Sequence, residues 1–218
     1  MNMLIKTSCL LVSLQSLNAV EFNISTAVPI AYLEQDQSFK EFNDLIHRLN
    51  LTPKYHFRPR ARGLSELERG VVDGDYARSS HALAQFKNII VVKIPIANSK
   101  VVAFYRKGTV DKINSVSDLK NYKIGYLKGW YGYLDIAKYG KTYAAVSQSE
   151  RLINMLVADR FDILLFEQGL GEFVVQSLNF PLEQFESSDV LSELPLHFLL
   201  NKKHKKLSEK LEGVMAPP

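Results

Sequence analysis

Two short phrases of the sequence end in charged residues of opposite sign, which together could hold a small charged molecule. Residues 67–78, LERGVVDGDYAR, align without a gap on residues 156–167, LVADRFDILLFE, so that Arg78 falls on Glu167. A guanidinium group binds a carboxylate through two parallel hydrogen bonds, and a carboxylate accepts hydrogen bonds from an ammonium group. The pair of phrases therefore indicates two similar lobes that hold a zwitterion between them.

Each phrase has the pattern of a helix end, a turn and a strand. In the first, a helical pattern ends at Gly70, a strand runs through residues 71–74, and Arg78 stands where that strand finishes; Asp162 takes the place of Asp73 in the second. Ligands of open α/β sheets bind beyond the carboxyl ends of strands, which is where both charged residues are expected.

Residue type alone does not show that Arg78 or Glu167 binds a ligand. Arg78 could instead be a surface arginine paired with Asp73 or Asp75, and Glu167 could be neutralised by a nearby lysine, as is common for surface charges. The sequence leaves these alternatives open.

Aromatic and basic residues at other strand ends complete the candidate site. Gly129, Trp130 and Tyr131 follow a strand pattern and open a helix, where backbone N–H groups could hold an anion and a ring could lie against the ligand, although aromatic residues at a helix start also serve as packing. Arg60 and Arg62 are expected at a strand end, one facing the cleft and the other solvent, because alternate residues of a strand point oppositely. The candidate ligand-binding residues are Tyr32, Arg60, Arg62, Arg78, Trp130, Tyr131 and Glu167.

Signals of catalysis or of metal binding are weak. The chain has neither a Gly-x-Ser-x-Gly elbow nor a phosphate-binding loop, and Ser117 to Lys120 matches a Ser-x-x-Lys pattern better explained as a helix N-cap. The five histidines show no close ligand spacing. We therefore predict no catalytic residue, no metal and no cofactor.

The charge balance argues against a nucleic-acid partner. The formal net charge is +4 over 218 residues, with 46% hydrophobic and 23% charged residues, which is ordinary for a folded protein. The one dense basic run, residues 202–206, is interpreted as a solvated helix start near the C-terminus, with binding of a polyanion as the alternative.

The first nineteen residues have the pattern of an export signal. Lys6 supplies a positive charge, residues 9–14 form a short apolar core, and cleavage is expected after Ala19. The apolar run is too short to span a membrane; a buried N-terminal helix is the alternative. The single cysteine, Cys9, lies within this signal, so the mature chain is predicted to be periplasmic and free of disulfides.

Strand and helix patterns alternate through the rest of the chain, which predicts an α/β fold with parallel pairing. Residues 89–96 and 101–105 are β-rich without a long helix between them and could lead from one lobe to the next. A later strand pattern over residues 194–200 returns the chain to the first lobe, before a final helix from Lys205.

The chain resembles the family 3 periplasmic solute-binding proteins, the amino-acid-binding receptors of ABC transporters. The resemblance spans nearly all of the mature chain. It is carried by the order and spacing of five phrases: residues 67–74, 95–96, 118–129, 158–162 and 194–197.

The resemblance implies a two-lobed type II periplasmic-binding-protein fold with two β crossovers at a hinge and a ligand cleft between the lobes. The implied domains are a signal at 1–19, a discontinuous lobe 1 at 20–102 and 196–218, and lobe 2 at 103–195. It also implies a monomer that delivers a small solute to an ABC permease, and it matches Glu167 to the acid that meets a ligand's amino group. Two other functions stay open, a periplasmic dehydratase with Glu167 as general acid and a ligand-sensing domain for a membrane partner.

The sequence departs from the family pattern at two places. The arginine that holds the ligand carboxylate in such proteins would fall near Ala84 or Gln85, so Arg78 would have to substitute for it. The Gly-Thr-Thr phrase of many members is Gly129-Trp130-Tyr131 here, which removes two hydroxyl donors. The expected ligand is accordingly a small anionic or zwitterionic solute.

Overall fold

The computed structural model describes residues 20–80, 83 and 85–216, without the side chains of residues 131, 132 and 134. The predicted signal, residues 1–19, lies outside the described residues, as do Ala84 and the side chain of Tyr131.

Strands and helices alternate along the described chain. The strands are β1 Val20–Thr26, β2 Leu51–Phe57, β3 Gly74–Arg78, β4 Ile89–Val91, β5 Ala97–Arg106, β6 Lys123–Leu127, β7 Lys141–Val146, β8 Ile163–Glu167, β9 Phe185–Ser187 and β10 Ser192–Asn201. The α-helices are α1 Ile30–Leu33, α2 Gln37–Arg48, α3 Arg60–Glu68, α4 Tyr131–Ala137, α5 Ser149–Val157, α6 Gln168–Ser177 and α7 Lys205–Met215. Short 3₁₀ helices cover Val116–Asn121, Leu182–Gln184 and Lys202–His204.

The strands lie in the order β2-β1-β3-β10-β5-β8-β6-β7, with β4 beside β10 and β9 beside β5. The strands β1 to β3 are parallel, as are β6 to β8. The two long strands β5 and β10 pair antiparallel with each other and join the two parallel groups. They are the two crossovers that the resemblance implies.

Two main hydrophobic cores lie on either side of these crossovers. One packs α2 against β1 and β10 through Phe22, Phe42 and Phe198; the other packs α5 and α6 around β5, β6 and β8. Helix α2 illustrates the local cause, because Asp36 caps its N-terminus and its apolar residues recur at helical spacing. The predicted lobe boundaries between residues 102 and 103 and between 195 and 196 stay a prediction.

The alignment of the two sequence phrases corresponds to a structural repeat. Asp73 accepts the N–H of Asn23 at 2.9 Å on its side chain and donates its own N–H to the carbonyl of Asn23 at 2.8 Å. Asp162 makes the same two bonds with Lys123, at 2.7 and 2.9 Å. Each aspartate thus fixes the start of its strand against the neighbouring parallel strand, and the predicted equivalence is confirmed.

Several elements differ from the sequence predictions. Strand β3 begins at Gly74 instead of residue 71, because the paired bonds of Asp73 close a turn before the strand starts. Only Ile89–Val91 of the expected strand over residues 89–96 forms. Helix α6 was not predicted; it contains two glycines, which weaken a helix, and it is held by buried side chains such as Val174 and Val175.

Candidate functional site

A cavity of about 100 Å³ lies where the two halves meet, at the ends of β3 and β8. Its lining includes Arg60 and Arg78 from the first half, and Trp130, Tyr133 and Glu167 from the second. Arg78 and Glu167, which the sequence paired by alignment, therefore do line one cavity.

Arg78 is a buried arginine at the end of β3, only 2% exposed. Its Nε donates to Asp75 Oδ1 at 2.6 Å and its Nη2 to Asp75 Oδ2 at 2.7 Å, while its Nη1 is buried without a hydrogen-bond partner. The pairing with Asp75 that the sequence left open is present, but it is buried and does not lie on the surface. It uses two of the three guanidinium nitrogens and fixes the plane of the group, which leaves Nη1 for another acceptor.

The backbone before Arg78 has an unusual conformation. Ala77 has φ +58°, and the pairing of β3 with β10 shifts register between His197 and Leu199. A β-bulge of this kind redirects the side chains that follow it, and a left-handed alanine is strained. Here the irregularity accompanies the turn of Arg78 towards Asp75, three residues earlier in the same strand.

Helix α3 covers the Arg78–Asp75 pair with a glycine. A Cβ at Gly63 would lie 2.8 Å from Arg78 Nη2 and 2.9 Å from Asp75 Oδ2. Glycine inside a helix costs about 1 kcal/mol relative to alanine. Its presence in α3 therefore has a steric reason, which is space for the ion pair.

We expect Gly63→Ala to lower the free energy of unfolding by about 1–3 kcal/mol, because the added methyl group overlaps a rigid buried pair. Gly213→Ala is the matched control: Gly213 lies in α7 with no atom within 4 Å of its added Cβ, so about 0.5–1 kcal/mol of stabilisation is expected there. Urea unfolding of both variants measures the difference. A stabilised Gly63→Ala protein would contradict the packing described.

Arg60 and Arg62 lie in the first turn of α3, not at the end of a strand as predicted. Residues two apart in a helix point about 200° apart, so the expected division between cleft and solvent arises from helix geometry instead of strand alternation. Arg62 is exposed and its Nε donates to Glu66 at 2.7 Å, which places it outside the cavity. The prediction that Arg62 contacts the ligand is not supported by this position.

Arg60 lies inside the cavity and stacks on an aromatic ring of the other half. Its guanidinium carbon is 3.6 Å from the centroid of the Trp130 ring, and its Nε is buried without a hydrogen-bond partner. Burial, followed by the positive charge of Arg78, lowers the pKa of Arg60 well below its ordinary value. The site thus holds two cations that repel each other, an arrangement that a bound anion would relieve.

The segment around the start of α4 contributes aromatic rings to the cavity. The N–H of Trp130 donates to the carbonyl of Leu127 at 3.2 Å, so this one group of the Gly129 phrase is not available to an anion; anion binding by the other N–H groups of the phrase stays a prediction. Trp130 packs against Tyr133 with ring centroids 4.7 Å apart, and both line the cavity. The side chain of Tyr131 lies outside the described residues.

Tyr133 and Ser99 are site residues that the sequence did not single out. Both line the cavity, and both hydroxyls are buried; they lie near each other, but neither makes a hydrogen bond of ordinary geometry. Burial raises the pKa of Tyr133 well above its ordinary value, so its hydroxyl keeps its proton. The available signal for Tyr133 was its position three residues after Trp130, which places two aromatic residues on one helical face.

Glu167 accepts three hydrogen bonds from its own chain. Its oxygens accept the N–H groups of Gly169 at 3.2 Å and of Leu170 at 2.7 Å, at the start of α6, and the Tyr32 hydroxyl at 2.7 Å. Tyr32, from the first half, therefore lines the cavity as expected and reaches across it. Burial, followed by the negative charge of Glu167, raises the pKa of Tyr32, so this hydroxyl acts as a donor.

Unpaired buried polar atoms converge on this one cavity. Among the described residues, the buried side-chain nitrogens and oxygens without a partner are Arg60 Nε, Arg78 Nη1, Ser99 Oγ and Tyr133 Oη. All four residues line the cavity. An unmet buried donor costs about 1–3 kcal/mol, so such a concentration indicates a site whose partner is a ligand.

Two further properties of the described residues bear on the chemistry of this site. No group of three or more His, Cys, Asp or Glu side chains within 20–80, 83 and 85–216 is placed to hold a metal ion. Within the same ranges, no helix is long and apolar enough to cross a membrane.

Solved structures share this architecture at low sequence identity. The GluR0 ligand-binding core in complex with L-glutamate matches with a TM-score of 0.71 at 14% identity, over 90% of this chain and 91% of that chain. AbpA from Streptococcus pneumoniae, an amino acid ABC transporter substrate-binding protein bound to L-arginine, matches with a TM-score of 0.65 at 14% identity, over 88% and 86%. AncCDT-1, an ancestral amino acid-binding protein and precursor of cyclohexadienyl dehydratase, matches at 0.66 and 14%, over 88% and 87%.

These similarities establish the fold. No protein-family model and no curated protein sequence matches the chain. The predicted α/β class, in its two-lobed type II periplasmic-binding-protein form, is confirmed by the structural neighbours and by the two crossover strands.

Proposed function

We propose that this protein is a solute-binding protein that captures a small carboxylate between two lobes. The observation that carries the proposal is the convergence of four unpaired buried polar atoms on one cavity, two of them guanidinium nitrogens. Arg78 Nη1 and Arg60 Nε would donate to the carboxylate, with Ser99 and Tyr133 as further donors. Charge-assisted hydrogen bonds of this type are about twice as strong as neutral ones.

The proposed lobes are residues 20–102 with 196–218, and residues 103–195. Two contacts join them across the cavity, the Tyr32–Glu167 hydrogen bond and the stacking of Arg60 on Trp130. Strands β5 and β10 are the proposed hinge, because they are the long strands that link the two parallel groups. Opening at this hinge would separate both contacts and admit the solute.

Delivery to an ABC transporter is the proposed role of the capture step. AbpA, which shares the fold, is an amino acid ABC transporter substrate-binding protein. The export-signal pattern of residues 1–19 supports a periplasmic location, with the mature protein acting as a monomer on an ABC permease. A sensing role for a membrane partner would use the same capture step; co-purification with a permease would distinguish transport from sensing.

We further propose that the protein is not an enzyme. The fold also occurs in AncCDT-1, a precursor of cyclohexadienyl dehydratase, so the fold alone does not decide this point. A general acid must direct a proton at the substrate, whereas both oxygens of Glu167 accept hydrogen bonds from the chain itself. Turnover of prephenate or arogenate would contradict the proposal.

The direct test is calorimetry of the protein against a panel of amino acids and organic acids. At least one carboxylate is expected to bind; at a concentration 100 times its Kd it would raise the free energy of unfolding by about 2.7 kcal/mol. The methyl ester of the same compound is the control, because it lacks the charge that the arginines require. Equal binding of acid and ester, or no binding of any carboxylate, would contradict the proposed function.

A further inference from the structure

The two acidic residues of the described lining, Asp36 and Glu167, each cap the N-terminus of a helix. Asp36 accepts the N–H of Phe39 at 3.0 Å and caps α2. Glu167 accepts the N–H groups of Gly169 and Leu170 and caps α6. A helix N-terminus carries a partial positive charge that offsets a carboxylate. The negative charges of the lining are therefore satisfied within the fold.

The Tyr32 hydroxyl donates the third hydrogen bond to the carboxylate of Glu167. A carboxylate offers about four lone-pair sites, and three donors already use Glu167. The Tyr32 ring packs on Phe173 with centroids 5.5 Å apart, which holds the hydroxyl in place. An incoming ammonium group would therefore compete with this hydroxyl, which comes from the opposite half of the molecule, for the acceptor sites of Glu167, because among the described residues Oε1 accepts only the N–H of Gly169.

The positive charges of the cavity are not balanced in the same way. Arg78 is neutralised by Asp75, which is itself fully buried. Arg60 forms no ion pair among residues 20–80, 83 and 85–216, and its Nε has no partner. Arg60 is thus a cation of the lining without a direct carboxylate partner among the described residues, and a ligand carboxylate would supply that partner.

The unpaired atoms point to the same ligand chemistry. Two are guanidinium nitrogens, which only donate, and two are hydroxyl oxygens, which can donate. A carboxylate accepts from all four groups, whereas an ammonium group could donate only to the two hydroxyl oxygens and would be repelled by the two guanidinium groups. The rest of the lining includes apolar side chains, namely Val28, Leu64, Leu170, Leu194 and Leu196.

On the basis of the proposed function, we infer that the captured solute is a small monocarboxylate with an apolar body and no α-ammonium group. Tyr32 sets this preference, because it occupies the acid that would otherwise receive the ammonium.

The test compares two probes with one carbon skeleton, 4-methylpentanoate and L-leucine, by calorimetry. The wild-type protein is expected to bind 4-methylpentanoate about tenfold or more tightly than leucine, since the ammonium group would lose its hydration and find fewer open acceptors in the lining than it had in water. Tighter binding of leucine would overturn the inference and leave the proposed function standing. Failure of both probes and of every other carboxylate in the panel would overturn both.

Tyr32→Phe tests the role of Tyr32 separately. Removing the hydroxyl frees acceptor capacity on Glu167, so the ratio of the two dissociation constants is expected to move about tenfold towards leucine. Tyr55→Phe is the control: Tyr55 donates to Asn43 at 3.2 Å and does not line the cavity, so the ratio should stay at the wild-type value. An unchanged ratio in Tyr32→Phe would overturn the assignment of specificity to this residue.

Discussion

Replacing Arg78 with alanine is expected to lower the free energy of unfolding by about 3–5 kcal/mol, because it leaves a buried charge without its partner. Asp75 is 0% exposed, and Arg78 binds both of its oxygens. Urea or thermal unfolding measures the effect, and the loss is larger than expected for any other single substitution in the site.

The paired variant separates stability from binding. Asp75→Leu combined with Arg78→Met replaces both charged side chains by apolar ones of similar size, and its stability is expected within about 1–2 kcal/mol of the wild type. It should still fail to bind the carboxylate, since Arg78 Nη1 is gone. If Arg78→Ala lost less than about 1 kcal/mol, or if the paired variant bound normally, the buried pair would not have the role described.

Arg60→Ala is expected to have the opposite profile, with a large loss of binding and a small change in stability. Truncating one partner of a desolvated charge contact costs about 2–5 kcal/mol, or roughly 30-fold or more in Kd. In the free protein the side chain contributes a cation–π contact on Trp130, worth about 0.5–2 kcal/mol, and its removal also ends the repulsion from Arg78.

Arg62→Ala is the matched control for Arg60→Ala. Arg62 lies two residues further along the same helix, where its exposed side chain pairs with the buried Glu66 and does not line the cavity. Glu66 also retains Arg58 as a partner. Calorimetry should show unchanged affinity for Arg62→Ala; equal losses in both variants would mean that Arg60 acts through the helix and not through the ligand.

The sequence was sufficient to predict the repeat and the strand ends. Hydrophobic pattern and the two aligned phrases placed Arg78 and Glu167 at the ends of β3 and β8. Because ligands of α/β sheets bind at the carboxyl ends of strands, both side chains could be assigned to one cleft. These features depend on local pattern and on the general geometry of parallel sheets.

The partners of those side chains could not be predicted, because they depend on how elements approach in space. Gly63, in helix α3, leaves space for Arg78 at the end of strand β3. Tyr32 bonds to Glu167, which lies 135 residues further along the sequence. The strain at Ala77 has no sequence signal, since alanine gives no indication of positive φ. Each of these contacts is tertiary.

The assignment of Arg60 and Arg62 to a strand end was wrong for a local reason. Pro59 stands immediately before α3, at its N-cap position. Proline fixes φ near −65° and is common at helix starts, so it was the available signal that the strand had ended and a helix had begun. With that boundary, helix geometry alone would have separated Arg60 from Arg62.

The central claim is that the arginines of this cavity bind a carboxylate, and a crystal structure of the protein with 4-methylpentanoate tests it most directly. We predict carboxylate oxygens at about 2.7–2.9 Å from Arg78 Nη1 and Arg60 Nε, with the apolar tail against the leucine side chains of the lining. A carboxylate bound outside the cavity, or one that points away from both guanidinium groups, would contradict the account.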